Sequence, residues 1–109
     1  MPLDCTPAEI APDLSMPTLE GLSWLLRHKE AWPQGFEWDY GDCEHCAMGF
    51  ACQLWDSVHF PCTYEMASIF DMSPRQAMDI FVWLRPGFEE HITPEHVAAA
   101  IDTHLARSA

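Results

Sequence analysis

The 109-residue chain carries 17 Asp and Glu against 5 Lys and Arg, a formal charge of −12. That balance disfavours direct contact with DNA or RNA, where Lys and Arg must neutralise phosphates, and leaves an acidic surface that meets a basic protein or keeps the chain soluble. Hydrophobic residues make up 49 % and aromatics 12 %, too much for a disordered chain; at this length about 65 % of the unfolded surface can be buried, enough for one core without staples.

No apolar run approaches the ~20 residues of a membrane span. The opening stretch MPLDCTPAEIAPDL has no basic start and no apolar centre, so it does not read as a signal peptide. Five Cys, an odd number, then point to free thiols in a reducing cytoplasm.

In chain order, residues 1–17 hold Pro2, Pro7, Pro12 and Pro17 and read as an irregular Pro-rich arm. Thr18 can cap a helix from about Leu19 to Ala31 with Leu19, Leu22, Leu25 and Leu26 inside. Arg27, His28 and Lys29 sit near its C-terminus, where positive charge suits the helix dipole, and Pro33 and Gly35 stop it. Phe36, Trp38 and Tyr40 alternate with Glu37 and Asp39, the period of a half-buried extended segment. Asp42 can cap a central helix running from Cys43 to Trp55, with Cys43, Cys46, Ala47, Phe50, Ala51, Leu54 and Trp55 on one stripe.

Thr63 can cap a short helix to about Phe70. Ser73-Pro74-Arg75-Gln76 combines an N-cap, a Pro at the first helical position and a capping-box Gln, and starts a helix to about Leu84. Thr93-Pro94-Glu95 repeats the device for a last helix to about Ala106. The expected fold is all-α: a single compact domain of about five helices over residues 18–109, behind the arm at 1–17.

The densest chemistry lies in Cys43-Glu44-His45-Cys46. It resembles the C-x-H-C motif of thioredoxin-superfamily oxidoreductases, which would make Cys43 the nucleophile, Cys46 the resolving thiol and His45 a tuning residue. Beyond Trp55 there is no βαβ pattern to complete that fold, and Asp39, Asp42 and Glu44 set negative charge beside the thiol, which raises its pKa. The alternative is that Cys43 and Cys46 pack as small apolar residues.

Cys43, Cys46 and Cys52 follow C-x2-C-x5-C, a spacing similar to the iron–sulfur site of WhiB-like regulators. With His59 and Cys62 close behind, four of these five would suffice for Zn or an iron–sulfur cluster. A continuous helix argues against it, because Cys52 then lies about 240° around from Cys46.

Glu65 to Phe81 resembles a helix-turn-helix, with Ala67, Phe70, Met72, Ser73, Ala77 and Ile80 at the motif's small and apolar positions and Asp71 where the motif usually has Gly. Only Arg75 and Gln76 offer base or phosphate contacts, so a capped helix pair is the plainer reading. Cys46-Ala47-Met48-Gly49, MASIFDM and ITPEHVAAAID together resemble small uncharacterised bacterial all-helical protein families; the resemblance implies a compact helical domain and no activity.

Five Trp and six Met are a heavy load for a small core. Trp32, Trp38 and Trp83 fall near element ends, where full burial is difficult, and partly exposed aromatic and Met residues mark interfaces. Trp32, Trp38, Asp39 and Trp83 are therefore the candidates for contact with a protein partner or a second copy. The leading expectation is a non-catalytic acidic cytosolic interaction protein without cofactor, one form of which is an inhibitor presenting carboxylates in place of nucleic-acid phosphates. A thiol redox protein and a Zn or iron–sulfur protein are the alternatives.

Overall fold

Thr18 sets the first helix. Its backbone is extended and its Oγ1 accepts the N–H of Gly21 at 3.0 Å, satisfying one of the donors that a first turn leaves free. The structure, a computed structural model, describes residues 12–40, 42, 44–82 and 92–108. Among them α1 covers Leu19–Leu26, α2 Ala47–Leu54, α3 Thr63–Phe70, α4 Pro74–Phe81 and α5 Pro94–Ser108, with one 3₁₀ turn at Lys29–Ala31 after α1. No strand occurs among the described residues, so the chain is all-helical as expected. Residues 1–11 of the Pro-rich arm lie outside the described residues. The end of the arm is tied down at Leu14, whose C=O accepts the indole N–H of Trp55 at 2.9 Å.

Helix α1 stops five residues before the expected Ala31. The N–H groups of Arg27 and His28 reach back only three residues, to Trp24 and Leu25, tightening the last turn. The same two carbonyls each take a second, side-chain partner. His28 Nδ1 lies 2.6 Å from Trp24 O, with the imidazole stacked on the Trp24 ring at 3.9 Å, and Trp32 Nε1 donates to Leu25 O at 2.6 Å.

Helix α2 also departs from expectation, at its start. It opens at Ala47 with Cys46 as N-cap, four residues after the expected Cys43. Asp42 does act as a cap, but of a separate turn: its Oδ1 accepts the N–H of Glu44 at 3.0 Å, and its C=O accepts from His45 and Cys46 at 2.8 and 2.9 Å. This turn folds back over the helix. A Cβ built on Gly49 would stand 2.2 Å from the Glu44 carbonyl oxygen, closer than two such atoms can approach. Only a residue with no side chain lets the two backbones meet here.

The helices pack as two pairs, α1 with α5 and α3 with α4, and α4 also meets α5. Leu22, Phe50, Met66, Ala77, Val97 and Ile101 are buried in one cluster to which every helix contributes. Between α1 and α5 lies a polar clasp. Ser23, 4 % exposed, donates to Asp102 Oδ1 at 2.7 Å and accepts from Arg27 Nη1 at 2.9 Å, while Arg27 meets Asp102 Oδ2 at 2.7 Å. The buried hydroxyl is thus satisfied on both sides.

The α3–α4 corner turns on Asp71, whose backbone is left-handed (φ 57°, ψ 57°), at the position where helix-turn-helix proteins usually carry Gly. The N–H groups of Asp71 and Met72 both reach the C=O of Ala67, closing the C-terminus of α3. Ser73 and Gln76 then form the expected capping box in both directions, and Phe70 stacks on Phe81 across the pair at 6.4 Å. At α5, Thr93 Oγ1 accepts the N–H of His96, and His96 Nδ1 accepts the N–H of Thr93, a reciprocal cap with His in the usual Glu or Gln role.

Two substitutions test these backbone constraints by thermal unfolding. Gly49→Ala should cost at least about 2 kcal/mol through forced displacement of the 42–46 turn, lowering the melting temperature by roughly 10 °C; an unchanged midpoint would mean the turn does not bear on α2. At position 71, Asp71→Gly should be neutral or stabilising by up to about 1 kcal/mol, and Asp71→Val should lose about 1–2 kcal/mol, because a β-branched residue is strained in the left-handed region.

Candidate functional site

The period-two pattern of residues 36–40 survives in the fold without a partner strand. Phe36, Trp38 and Tyr40 are half-buried and Glu37 and Asp39 exposed. The three rings, with Trp32 before them, form an aromatic strap across α2. Phe50 of α2 takes Trp32 and Phe36 edge-on at 5.2 and 5.1 Å. Trp32 meets Phe36 at 5.8 Å and Trp38 at 6.4 Å, separations at which aromatic rings attract.

The polar atoms of the strap are engaged with backbone far away in sequence. Trp38 Nε1 donates to Ile92 O at 2.7 Å, and Tyr40 OH donates to Ile80 O at 3.2 Å. With Trp32 bound to Leu25 O, both indole donors of the strap are committed within the chain.

Beside the strap, where it meets the N-terminus of α5, lies a groove of about 450 Å³ lined by Leu26, Lys29, Trp32, Phe36, Glu37, Trp38, Thr93, Pro94 and Glu95. Its size falls within the range of ligand-binding clefts. Its walls are apolar rings with two carboxylates, Glu37 and Glu95, and one ammonium. Lys29 Nζ sits 5.9 Å from the centroid of the Trp32 ring, a cation over an indole face.

Two of the expected partner-contact residues, Trp32 and Trp38, therefore line one groove. Asp39 stands exposed on the neighbouring turn, where its N–H donates to His45 O at 2.8 Å. Trp83 lies outside the described residues. Lys29, Phe36, Glu37, Pro94 and Glu95 complete the groove, and the sequence did not mark them as contact residues. Thr93-Pro94-Glu95 was legible only as a helix start, and what it packs against is a matter of tertiary structure.

The Cys and His candidates are dispersed by comparison. Cys43 lies outside the described residues. Cys46 is 1 % exposed beneath the 42–46 turn, a position that favours packing. Cys52 lies within the continuous helix α2 and is half-buried; burial pushes its thiol up, as do Glu65, Cys46 and Cys62 nearby. Cys62 is exposed at the N-cap of α3. His59 is exposed too, and its backbone N–H donates to Glu65 Oε2 at 2.8 Å. Among the described residues no three His, Cys, Asp or Glu side chains stand together as a metal-holding group.

Comparison with protein-family models, with curated proteins and with solved structures gives no match for this chain. Among the described residues no helix is long and apolar enough to cross a membrane.

One titrating pair borders the strap. His45 Nδ1 lies 2.8 Å from Asp42 Oδ2, and the Phe36 ring is 6.1 Å from the imidazole. The hydrogen bond to Asp42 raises the His45 pKa above its ordinary value, and the negative charges of Asp42, Glu44 and Glu37 add to it. Asp42 is held below the usual carboxylate range by the Glu44 N–H first and by His45 second. A raised imidazole pKa gives stability that is complete below its unfolded value and is lost as pH rises through the folded one. A lowered carboxyl pKa gives stability that is present above its unfolded value and is lost as pH falls through the folded one. The turn is accordingly firmest between the two titrations, about pH 4 to 6.5. An NMR titration should place the His45 midpoint above that of an ordinary histidine, and Asp42→Asn should lower it; a midpoint indifferent to that substitution would show that the pair does not form.

Proposed function

We propose that this chain is a non-catalytic, acidic, cytosolic interaction protein that holds a segment of a partner protein in the groove of Trp32, Phe36, Trp38 and Pro94. The observation that carries this reading is the convergence of three aromatic rings on one concave site, with both indole donors already tied to the backbone. Aromatic residues with one face packed and one face open are what protein interfaces enrich. Their engagement holds the rings in place before any partner arrives, which lowers the ordering cost of binding.

The chain's charge of −12 complements a basic partner and steers its approach. It also supports the narrower form of the reading, an inhibitor whose carboxylates stand where its target expects phosphates. Retention of the pure chain by a cationic nucleic-acid-binding protein at low salt would support that form, because such attraction is strongest there.

The test is selection of a random peptide library on the immobilised full chain, followed by NMR of the indole N–H signals. Selected peptides should shift the Trp32 and Trp38 signals and leave Trp55 unmoved. A library that yields no binder, or binders that shift only residues away from the groove, would sink the reading.

A further inference from the structure

We infer that the segment taken by the groove is arginine-bearing, with a guanidinium stacked on an indole face and paired with Glu37 or Glu95. This rests on the peptide-binding reading above and specifies its partner.

Four features of the groove converge on that chemistry. First, Trp32 Nε1 and Trp38 Nε1 already donate to Leu25 O and Ile92 O, so the indoles have no donor left for an incoming carbonyl, sugar hydroxyl or phosphate. What they present is ring surface, which attracts apolar groups and cations. Second, the Trp32 face already attracts a cation, since Lys29 Nζ lies 5.9 Å above it. Third, the charged groups among the lining residues are two carboxylates, Glu37 and Glu95, against the single ammonium of Lys29, a net charge of −1. Fourth, the whole chain carries −12, so a second copy would bring like charge to the same site, and anionic ligands are repelled as well.

Arginine suits these features better than lysine. Its planar guanidinium is weakly hydrated, stacks on aromatic faces and still offers N–H groups at its edge to a carboxylate. A lysine ammonium is compact and strongly hydrated, and Lys29 already supplies one. Lys29 then becomes a competitor from within the chain. It holds one indole face and must swing aside, or share the groove with a like charge, when the arginine enters.

The decisive probe is an acetylated and amidated Gly-Arg-Pro-Arg-Gly peptide titrated into the full chain, beside the same peptide with each arginine replaced by citrulline, its neutral isostere. The Trp32 and Trp38 indole signals and calorimetry supply the readout. The arginine peptide should bind about tenfold more tightly than the citrulline one, as expected for a partly desolvated cation–π contact with a carboxylate partner. Lys29→Met should tighten the arginine peptide severalfold more than it tightens the citrulline peptide. Glu37→Gln combined with Glu95→Gln should narrow the difference between the two peptides to what the cation–π contact alone supplies. Circular dichroism confirms that these variants keep their helices.

Equal affinity for the two peptides, or a Lys29→Met variant that binds the arginine peptide no better, overturns the arginine inference while leaving the groove a peptide site. Silence of both indoles towards these peptides and towards library-selected ones overturns the peptide-binding reading along with it.

Discussion

The close approach of Glu44 to Gly49 governs much of this molecule. The missing side chain at Gly49 lets one backbone lie directly on another, and the 42–46 turn takes its place from that contact. The turn in turn delays the start of α2 to Ala47, buries Cys46 as N-cap and brings residues 36–40 across the helix, where Phe50 receives Trp32 and Phe36. The groove beside the strap inherits its position from the same approach. A backbone–backbone contact is a harder constraint than one between side chains, because no rotamer change can relieve it.

The strap is held from both directions. Aromatic packing against Phe50 fixes its inner face, and hydrogen bonds from Trp32, Trp38 and Tyr40 fix its polar atoms to distant carbonyls. Each such bond contributes about 1 kcal/mol net, while leaving a buried indole donor without a partner costs about 1–3 kcal/mol. Trp24 shows the other case: its Nε1 is buried with no acceptor among the described residues, and its ring is stacked on His28 instead. The two tryptophans facing the groove are thus polar-satisfied, and what they expose is ring surface beside Glu37 and Glu95 in a strongly acidic chain.

How far these features were legible in the sequence follows the range of the forces behind them. Thr18, the Ser73-Pro74-Gln76 box and the Thr93-Pro94 start act within a few residues, and all three open helices where the sequence places them. The alternation of residues 36–40 was readable because burial of a strap over a helix imposes the same period as a sheet face. The start of α2 was not, since Asp42 is as good a cap for a turn as for a helix, and the choice is made by the approach of Glu44 to Gly49, seven residues beyond Asp42. The C-terminal end of α1 and the acceptors of the strap's side chains were equally hidden: Leu25, Ile80 and Ile92 accept through backbone carbonyls, which carry no sequence signal. Of the groove, Trp32 and Trp38 were nameable from composition and position, whereas Pro94 and Glu95 join them only through the docking of α5.

Those main-chain acceptors also shape how the sequence is free to drift. A tryptophan bound to another side chain constrains two positions together, but one bound to a carbonyl constrains only itself. The hydrogen bonds received at Leu14 and Ile92 would survive replacement of either residue by another apolar type, because every residue supplies the same oxygen. Leu25 and Ile80 are buried and answer to the core regardless. Substitutional tolerance is therefore lopsided across the Trp55–Leu14 and Trp38–Ile92 ties, with the indole end rigid in identity and the carbonyl end permissive, and distant relatives of this chain would be expected to share these two tryptophans more faithfully than the residues they hold.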